Sequence, residues 1–239
     1  MVTSLEFYRR WVRRFTSLLP ITAGVLYAAF AIESVLDGPL DPTRAYVSEL
    51  SAQGQPFAVL FRLTDALAGL VIAIWAGLAL SRRPHRLALV GWLGLLVFGI
   101  STVLDASFPL SCAATHDVSC RVREAVGDLP TTHQLHVVTS TVASTSLIVA
   151  IVAMTPLRGS RRGWLRVPAV GYLVGTVWTL WEVWQITTRG HQPESLLGIA
   201  QRLQLVCAAA WLVTFGVLQW RGGRRVGVGL LTSSAARRA

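Results

Sequence analysis

The chain has no lysine: all 22 of its basic residues are arginine. It has little charge of either sign, 14% of 239 residues, and only three cysteines. So small a charged fraction, beside 53% apolar residues and a mean hydropathy of +0.53, excludes a water-soluble domain of this size. Internal repeats and Gly/Ser-rich linkers are missing too, which leaves no boundary at which to divide the chain into domains. Neither H-E-x-x-H nor G-x-S-x-G occurs, so the usual helix of a zinc hydrolase and the usual serine elbow are both absent. No basic-and-aromatic module accompanies the arginines, which excludes nucleic acid as the reason for the net charge of +10.

What the chain does have is long apolar runs. Six segments meet the roughly 20-residue length that a hydrocarbon core demands, from Thr16 to Leu36, Phe57 to Ser81, Leu87 to Phe108, His133 to Thr155, Val167 to Thr188 and Leu197 to Trp220. A spanning chain must satisfy its backbone internally, so these read as helices. The expected fold is an all-α membrane protein, a six-transmembrane-helix bundle. Its boundaries are a basic segment over residues 1–15, the transmembrane domain over 16–220 and a basic tail over 221–239.

The arginines set the orientation. Arg9, Arg10, Arg13 and Arg14, then Arg82, Arg83 and Arg86, then Arg158, Arg161, Arg162 and Arg166, then Arg221, Arg224, Arg225, Arg237 and Arg238 fall on alternate sides of the spans. The intervening connections are poor in arginine and carry Asp37, Asp41, Glu49, Asp117, Glu124, Asp128 and Glu194. By the positive-inside rule both termini are cytoplasmic, in a bacterial plasma membrane, with the arginines against anionic lipid headgroups. The protein partners this implies are undefined. "RRWVRRF" followed by "AFA" at Ala29 to Ala31 imitates a cleavable signal, but the apolar run continues to Leu36, which favours an uncleaved first helix. Trp75, Trp92, Trp164 and Trp220 fall near the cytoplasmic boundary and read as interfacial anchors. The last residues, "VGVGLLTSSAARRA", read as a loose tail.

Ionisable residues within spans carry more information, because each costs at least about 2.5 to 3.5 kcal/mol unless it finds a partner or water. Here they all fall towards the arginine-poor side: Glu33, Arg62, Asp65, Asp105, His133, His136, Glu182 and Arg202. Arg62 and Asp65 share a helix face, as do His133, His136 and Ser140. Such faces are expected to converge on one polar pocket open to the outside. The competing reading is a set of structural ion pairs, Arg62 with Asp65 or Glu33, and Arg202 with Glu182 or Asp105. Ser140, Ser144 and Ser146 read as packing residues, and Trp178, Trp181 and Trp184 as a packing or interfacial stripe beside Glu182. Cys112 and Cys120 lie eight apart in an external connection, where a disulfide persists and would hold His116 and Asp117 over the pocket. Cys207 reads as an inert packing residue.

Several stretches carry a family resemblance: "AYVSELSAQGQPFAVLFRLTDALAGLVIAI", "DASFP" closing the third span and "HQLHVVTS" opening the fourth. Over residues from about 16 to 220 the chain resembles the membrane family called domain of unknown function 998. More distantly it is similar to FRAG/DRAM six-helix proteins implicated in lipid handling. The resemblance implies a six-helix bundle with the S-E-L connection at the outer surface, which adds Ser48 and Glu49 to the pocket. It implies no settled activity.

Three functions are expected to compete. The first is non-catalytic binding of a lipid or lipid-linked headgroup, with phosphate against Arg62 and Arg202. The second is metal-assisted hydrolysis at the outer leaflet, with Asp105, His133 and His136 as ligands of zinc and Glu49, His116 or Glu182 as general base. The third is proton- or ion-coupled transport through Asp65, Asp105 and Glu182, against which stands the absence of matching polar residues in the cytoplasmic halves.

Overall fold

The computed structural model describes residues 4–156, 162–190 and 194–235. Arg158, Arg161, Arg237 and Arg238 lie outside the described residues, as do the side chains of Arg9, Arg10, Arg13, Arg162, Arg224 and Arg225. Among the described residues there is no strand. The helices are α1 (Ser4–Tyr27), α2 (Ala58–Leu80), α3 (Arg86–Ser107), α4 (Val118–Ala125), α5 (Thr131–Met154), α6 (Arg162–Arg189) and α7 (Leu197–Ala235), with 3₁₀ segments at Ala29–Val35 and Val47–Ser51.

Five stretches are long and apolar enough to cross a membrane: Arg14–Val35, Ala58–Leu80, Arg86–Ser107, Thr131–Met154 and Leu197–Arg221. Helix α6 has the length, at 28 residues, but is not among the five. Its Tyr172, Trp178, Trp181, Glu182 and Trp184 dilute the apolar run, and such side chains are favoured at interfaces rather than in the hydrocarbon centre. Two local readings of the sequence change. Helix α1 does not continue to Leu36 but tightens into the 3₁₀ segment after Tyr27, and α7 continues to Ala235 where a loose tail was expected.

The helices stand in a ring, in which α1 packs on α2, α2 on α3, α3 on α5, α1 on α7 and α7 on α6. The ring closes between α5 and α6, which approach each other least of these neighbours. Small residues set the closest approaches. A Cβ on Gly94 would lie 2.8 Å from the Ser146 carbonyl oxygen and 3.0 Å from the Ala150 nitrogen, so α3 and α5 meet backbone to backbone. Gly69 and Gly99 play the same part between α2 and α3, and Gly171 leaves room for Cys207.

The larger apolar core lies towards the arginine-rich end. Trp75 and Trp92 meet edge to face at 4.8 Å, Trp75 and Phe215 at 5.2 Å, and Trp211 lies 5.3 Å from Phe215. Trp75 is therefore a core residue, only 2% exposed, and not the interfacial anchor that its place in the sequence suggests. Trp164 is exposed and Arg14 stacks 5.6 Å from the Trp220 ring, as boundary residues do.

Candidate functional site

At the arginine-poor end the three connections between helices fold inwards and supply partners that helix periodicity does not reveal. The segment after α1 brings Glu33 against Arg202 of α7: Nε donates to Oε1 at 2.5 Å and Nη2 to Oε2 at 2.6 Å. Nη1 of Arg202 donates to the Ala45 and Gly198 carbonyls at 2.9 and 3.0 Å. Four of the five guanidinium N–H donors of Arg202 are taken up in this way. The sequence pairs Arg202 with Glu182 or Asp105 and Arg62 with Asp65 or Glu33. In the fold Glu33 goes to Arg202, because the turn after Tyr27 carries it over α7.

Glu49 is buried, 1% exposed, within the second 3₁₀ segment. Its carboxylate accepts from the Tyr46 N–H at 3.1 Å, the Thr115 N–H at 2.9 Å and the Thr115 hydroxyl. Burial raises its carboxyl above the ordinary range, opposed by those hydrogen bonds. Burial also raises the Tyr46 phenol. Glu49 thus fastens the first connection to the disulfide loop. The Cys112–Cys120 disulfide is formed, spanning a sequence separation of 8. The neighbouring Ser48 is half-buried, and its carbonyl accepts from the Ser51 hydroxyl. His116 is exposed on that loop, and Asp117 caps α4, accepting from the Ser119 N–H at 2.8 Å. The Ser119 hydrogen bonds hold the Asp117 carboxyl below its usual range.

The two histidines at the start of α5 are both buried. The Ser111 N–H lies 3.2 Å from His133 Nδ1, so Nδ1 accepts and the proton is assigned to Nε2, which faces Glu124 Oε1 at 3.5 Å. His136 has the opposite tautomer. Its Nδ1 lies 3.0 Å from the Phe108 carbonyl oxygen and 3.3 Å from both the Asp105 carbonyl oxygen and Oδ1. All three are acceptors, so Nδ1 carries the proton and Nε2 the lone pair. That Nε2 is buried and has no hydrogen-bond partner.

Asp105 Oδ1 accepts from the Thr139 hydroxyl at 2.5 Å and the Ser140 hydroxyl at 2.9 Å. Around it gather groups from other helices. Tyr27 of α1 is in electrostatic reach of Asp65, Asp105 and Tyr172, and Asp65 is in reach of Asp105. Tyr172 of α6 donates to the Ser144 carbonyl of α5 at 3.1 Å across the sparsest contact of the ring. Asp65, half-buried on α2, has no hydrogen-bond or ion-pair partner among the described residues. Arg62, one turn nearer the mouth, only reaches back from Nε to the Ala58 carbonyl at 3.3 Å.

Glu182 forms a separate cluster. It accepts from the Trp178 indole N–H at 3.1 Å, the Ser195 hydroxyl at 2.9 Å and the Leu196 N–H at 3.3 Å, beside a cavity of about 210 Å³ lined by Gln185, Ile186, Arg189 and Glu194. The expected single hollow is therefore divided. Glu33 with Arg202, Glu49 with Tyr46 and Thr115, Ser48 with Ser51, and Glu182 with Trp178 and Ser195 have local partners; His133 meets Ser111 through Nδ1 while its buried Nε2, like that of His136, has no hydrogen-bond partner; Asp65, Asp105, His136 and Ser140 remain as one hub. The zinc set does not form: among the described residues no three His, Cys, Asp or Glu side chains are grouped to hold a metal ion. Asp105 is turned to Thr139 and Ser140, and His133 and His136 each spend Nδ1 on chain atoms. The sequence reading missed Tyr27, Tyr172, Thr139, Thr115 and Glu124. Thr139, three residues after His136, shares its helix face by spacing; the two tyrosines carry no charge at neutral pH and so leave no comparable signal in an apolar run.

Neither a curated protein nor a solved structure matches the chain. The family model described as "Protein of unknown function (DUF998)" matches residues 20–218, and the chain belongs to that family.

Proposed function

We propose that this multi-pass helical protein is a non-catalytic binding protein for the zwitterionic headgroup of a lipid or lipid-linked molecule, taken from the outer leaflet of a plasma membrane into the Asp65–Asp105–His136 hub. This reading includes a sixth crossing by α6 and cytoplasmic termini. The observation that carries it is Asp65. A carboxylate within a span, without a cationic partner, is costly to keep unless a guest or water supplies one.

The free groups of the hub are acceptors. The Asp65 carboxylate and the His136 Nε2 lone pair both call for a donor, and an ammonium group supplies donors together with the missing positive charge. Arg62 lies three residues towards the mouth, an axial rise of about 4.5 Å, so that a headgroup phosphate meets the guanidinium while its ammonium reaches Asp65. Phosphate recognition moves accordingly from Arg202, which is consumed by Glu33, to Arg62 alone. The hydrolase reading is weaker because Glu49 and Glu182 are tied to other partners and His116 is exposed, which leaves no base beside the histidines.

Native mass spectrometry of the purified protein with phosphatidylethanolamine and phosphatidylglycerol tests the reading. Phosphatidylethanolamine is expected to be retained preferentially, and Asp65→Asn and Arg62→Ala each to lower retention about fivefold, with Glu182→Gln as an unaffected control. Equal retention by wild type and Asp65→Asn refutes it. Release of a cleaved lipid by wild type but not by His136→Ala replaces it with the hydrolase.

A further inference from the structure

The opposite end of the bundle holds a second cavity, of about 210 Å³, lined among others by Thr16, Trp75, Leu78, Arg82, Trp92 and Gln219. It lies between Thr16 of α1, the last turn of α2, Trp92 of α3 and Gln219 of α7, beside the turn joining α2 to α3. Its inner wall is the aromatic core, with Trp75 and Trp92 edge to face. Its rim carries Arg82, exposed and without an ion-pair partner among the described residues. In its wall Gln219 keeps a buried Oε1 that accepts no hydrogen bond.

We infer that this cavity is a binding site for an anionic phospholipid with a hydroxylated headgroup, of the phosphatidylglycerol type, in the leaflet facing the arginine-rich end. Each part of such a ligand finds a counterpart. The phosphate carries the charge that Arg82 lacks. A headgroup hydroxyl is the donor that a buried amide oxygen otherwise misses, and an unmade bond of this kind is costly. The volume is below the several hundred Å³ of a pocket that encloses a small molecule, which suits a headgroup whose acyl chains stay in the bilayer. Leu78, 43% exposed, and the indole of Trp92 give those chains an apolar lip. This exceeds the general attraction of a basic face for anionic lipid, because Gln219 selects for a hydroxyl and not for charge. The inference does not rest on the Asp65 hub, which uses other residues and another headgroup.

Native mass spectrometry of the full chain, titrated with phosphatidylglycerol, phosphatidic acid and phosphatidylcholine, tests it. Wild type is expected to bind phosphatidylglycerol about fivefold more tightly than phosphatidic acid, and phosphatidylcholine weakest. Gln219→Leu abolishes the preference for phosphatidylglycerol over phosphatidic acid while leaving phosphatidic acid binding unchanged. Arg82→Ala lowers both anionic lipids about fivefold, and Arg166→Ala, at another arginine-rich connection, lowers neither. Ala79→Phe, at another residue of the cavity lining, fills the cavity and removes the lipid while Gln219 is kept, and so keeps the test open if Gln219→Leu does not fold. Equal loss of both anionic lipids in Gln219→Leu, or no loss in Ala79→Phe, overturns the inference. Displacement of the lipid by an equal concentration of glycerol phosphate also overturns it, in favour of a soluble phosphate. Failure here leaves phosphatidylethanolamine binding at Asp65 untouched, and the reverse also holds.

Discussion

At the arginine-poor end Arg202 grips Glu33 through two hydrogen bonds and Glu49 takes three donors, whereas towards the arginine-rich end Trp75, Trp92, Trp211 and Phe215 meet ring on ring. Both regions are folded by the same helices, but they are held in different ways. The first depends on a few specific pairs, each with a large penalty for losing one partner. The second depends on many small contacts and on close backbone approach at glycine. Polar groups therefore accumulate where the connections fold inwards and can satisfy them.

Perturbing each region in turn sharpens this contrast. The largest effect is expected from Arg202→Ala, which leaves Glu33, its side chain only 11% exposed, unpaired and should lower stability by about 3 to 5 kcal/mol. Thermal unfolding in detergent measures it, and the Glu33→Ala/Arg202→Ala double variant should recover part of the loss. Next comes the disulfide. Reduction, or Cys112→Ser, should lower stability by about 2 to 3 kcal/mol in the chain-entropy model and free Ser111 and Thr115 from His133 and Glu49. An unchanged melting temperature after reduction would separate the loop from the stability of that end.

In the packed region Gly94→Ala presses a methyl group on the α5 backbone and should cost about 1 to 3 kcal/mol without altering pH dependence. The smallest effect is a slope. Burial raises the folded-state carboxyl of Glu49 above its ordinary 4.5, so the native chain binds more protons than the unfolded chain just above that pH. This contribution is fully present below the ordinary carboxylate range and is lost as pH rises through the raised value. Melting temperatures across a pH series should fall in that window for wild type, and Glu49→Gln should flatten the fall.

Much of the fold was legible. Long apolar runs placed five spanning stretches to within a few residues; the sixth run, Val167 to Thr188, lies within helix α6 but is not apolar enough to stand with them, and α1 tightens after Tyr27, since hydropathy does not distinguish an α-helix from a 3₁₀ continuation. The disulfide was legible from two cysteines in one connection, and the gathering of ionisable groups at one end from the arginine pattern. Their partners were not legible. Periodicity within a helix says which face His136 and Ser140 share, but not that the Ser111 N–H, the Ala45 carbonyl or the Leu196 N–H would arrive from a connection to meet a side chain. The same limit explains Trp75: its position along α2 suggests a boundary, and only the arrival of Trp92 and Phe215 makes it core.

The sparse contact between α5 and α6 has a mechanical consequence. Because every other neighbouring pair in the ring is closely packed, the molecule resembles an open clasp whose two lips are latched by the Tyr172 hydroxyl on Ser144. Releasing that latch costs about 1 kcal/mol net. Spreading the lips would open the hub sideways without unpacking any of the tighter helix pairs.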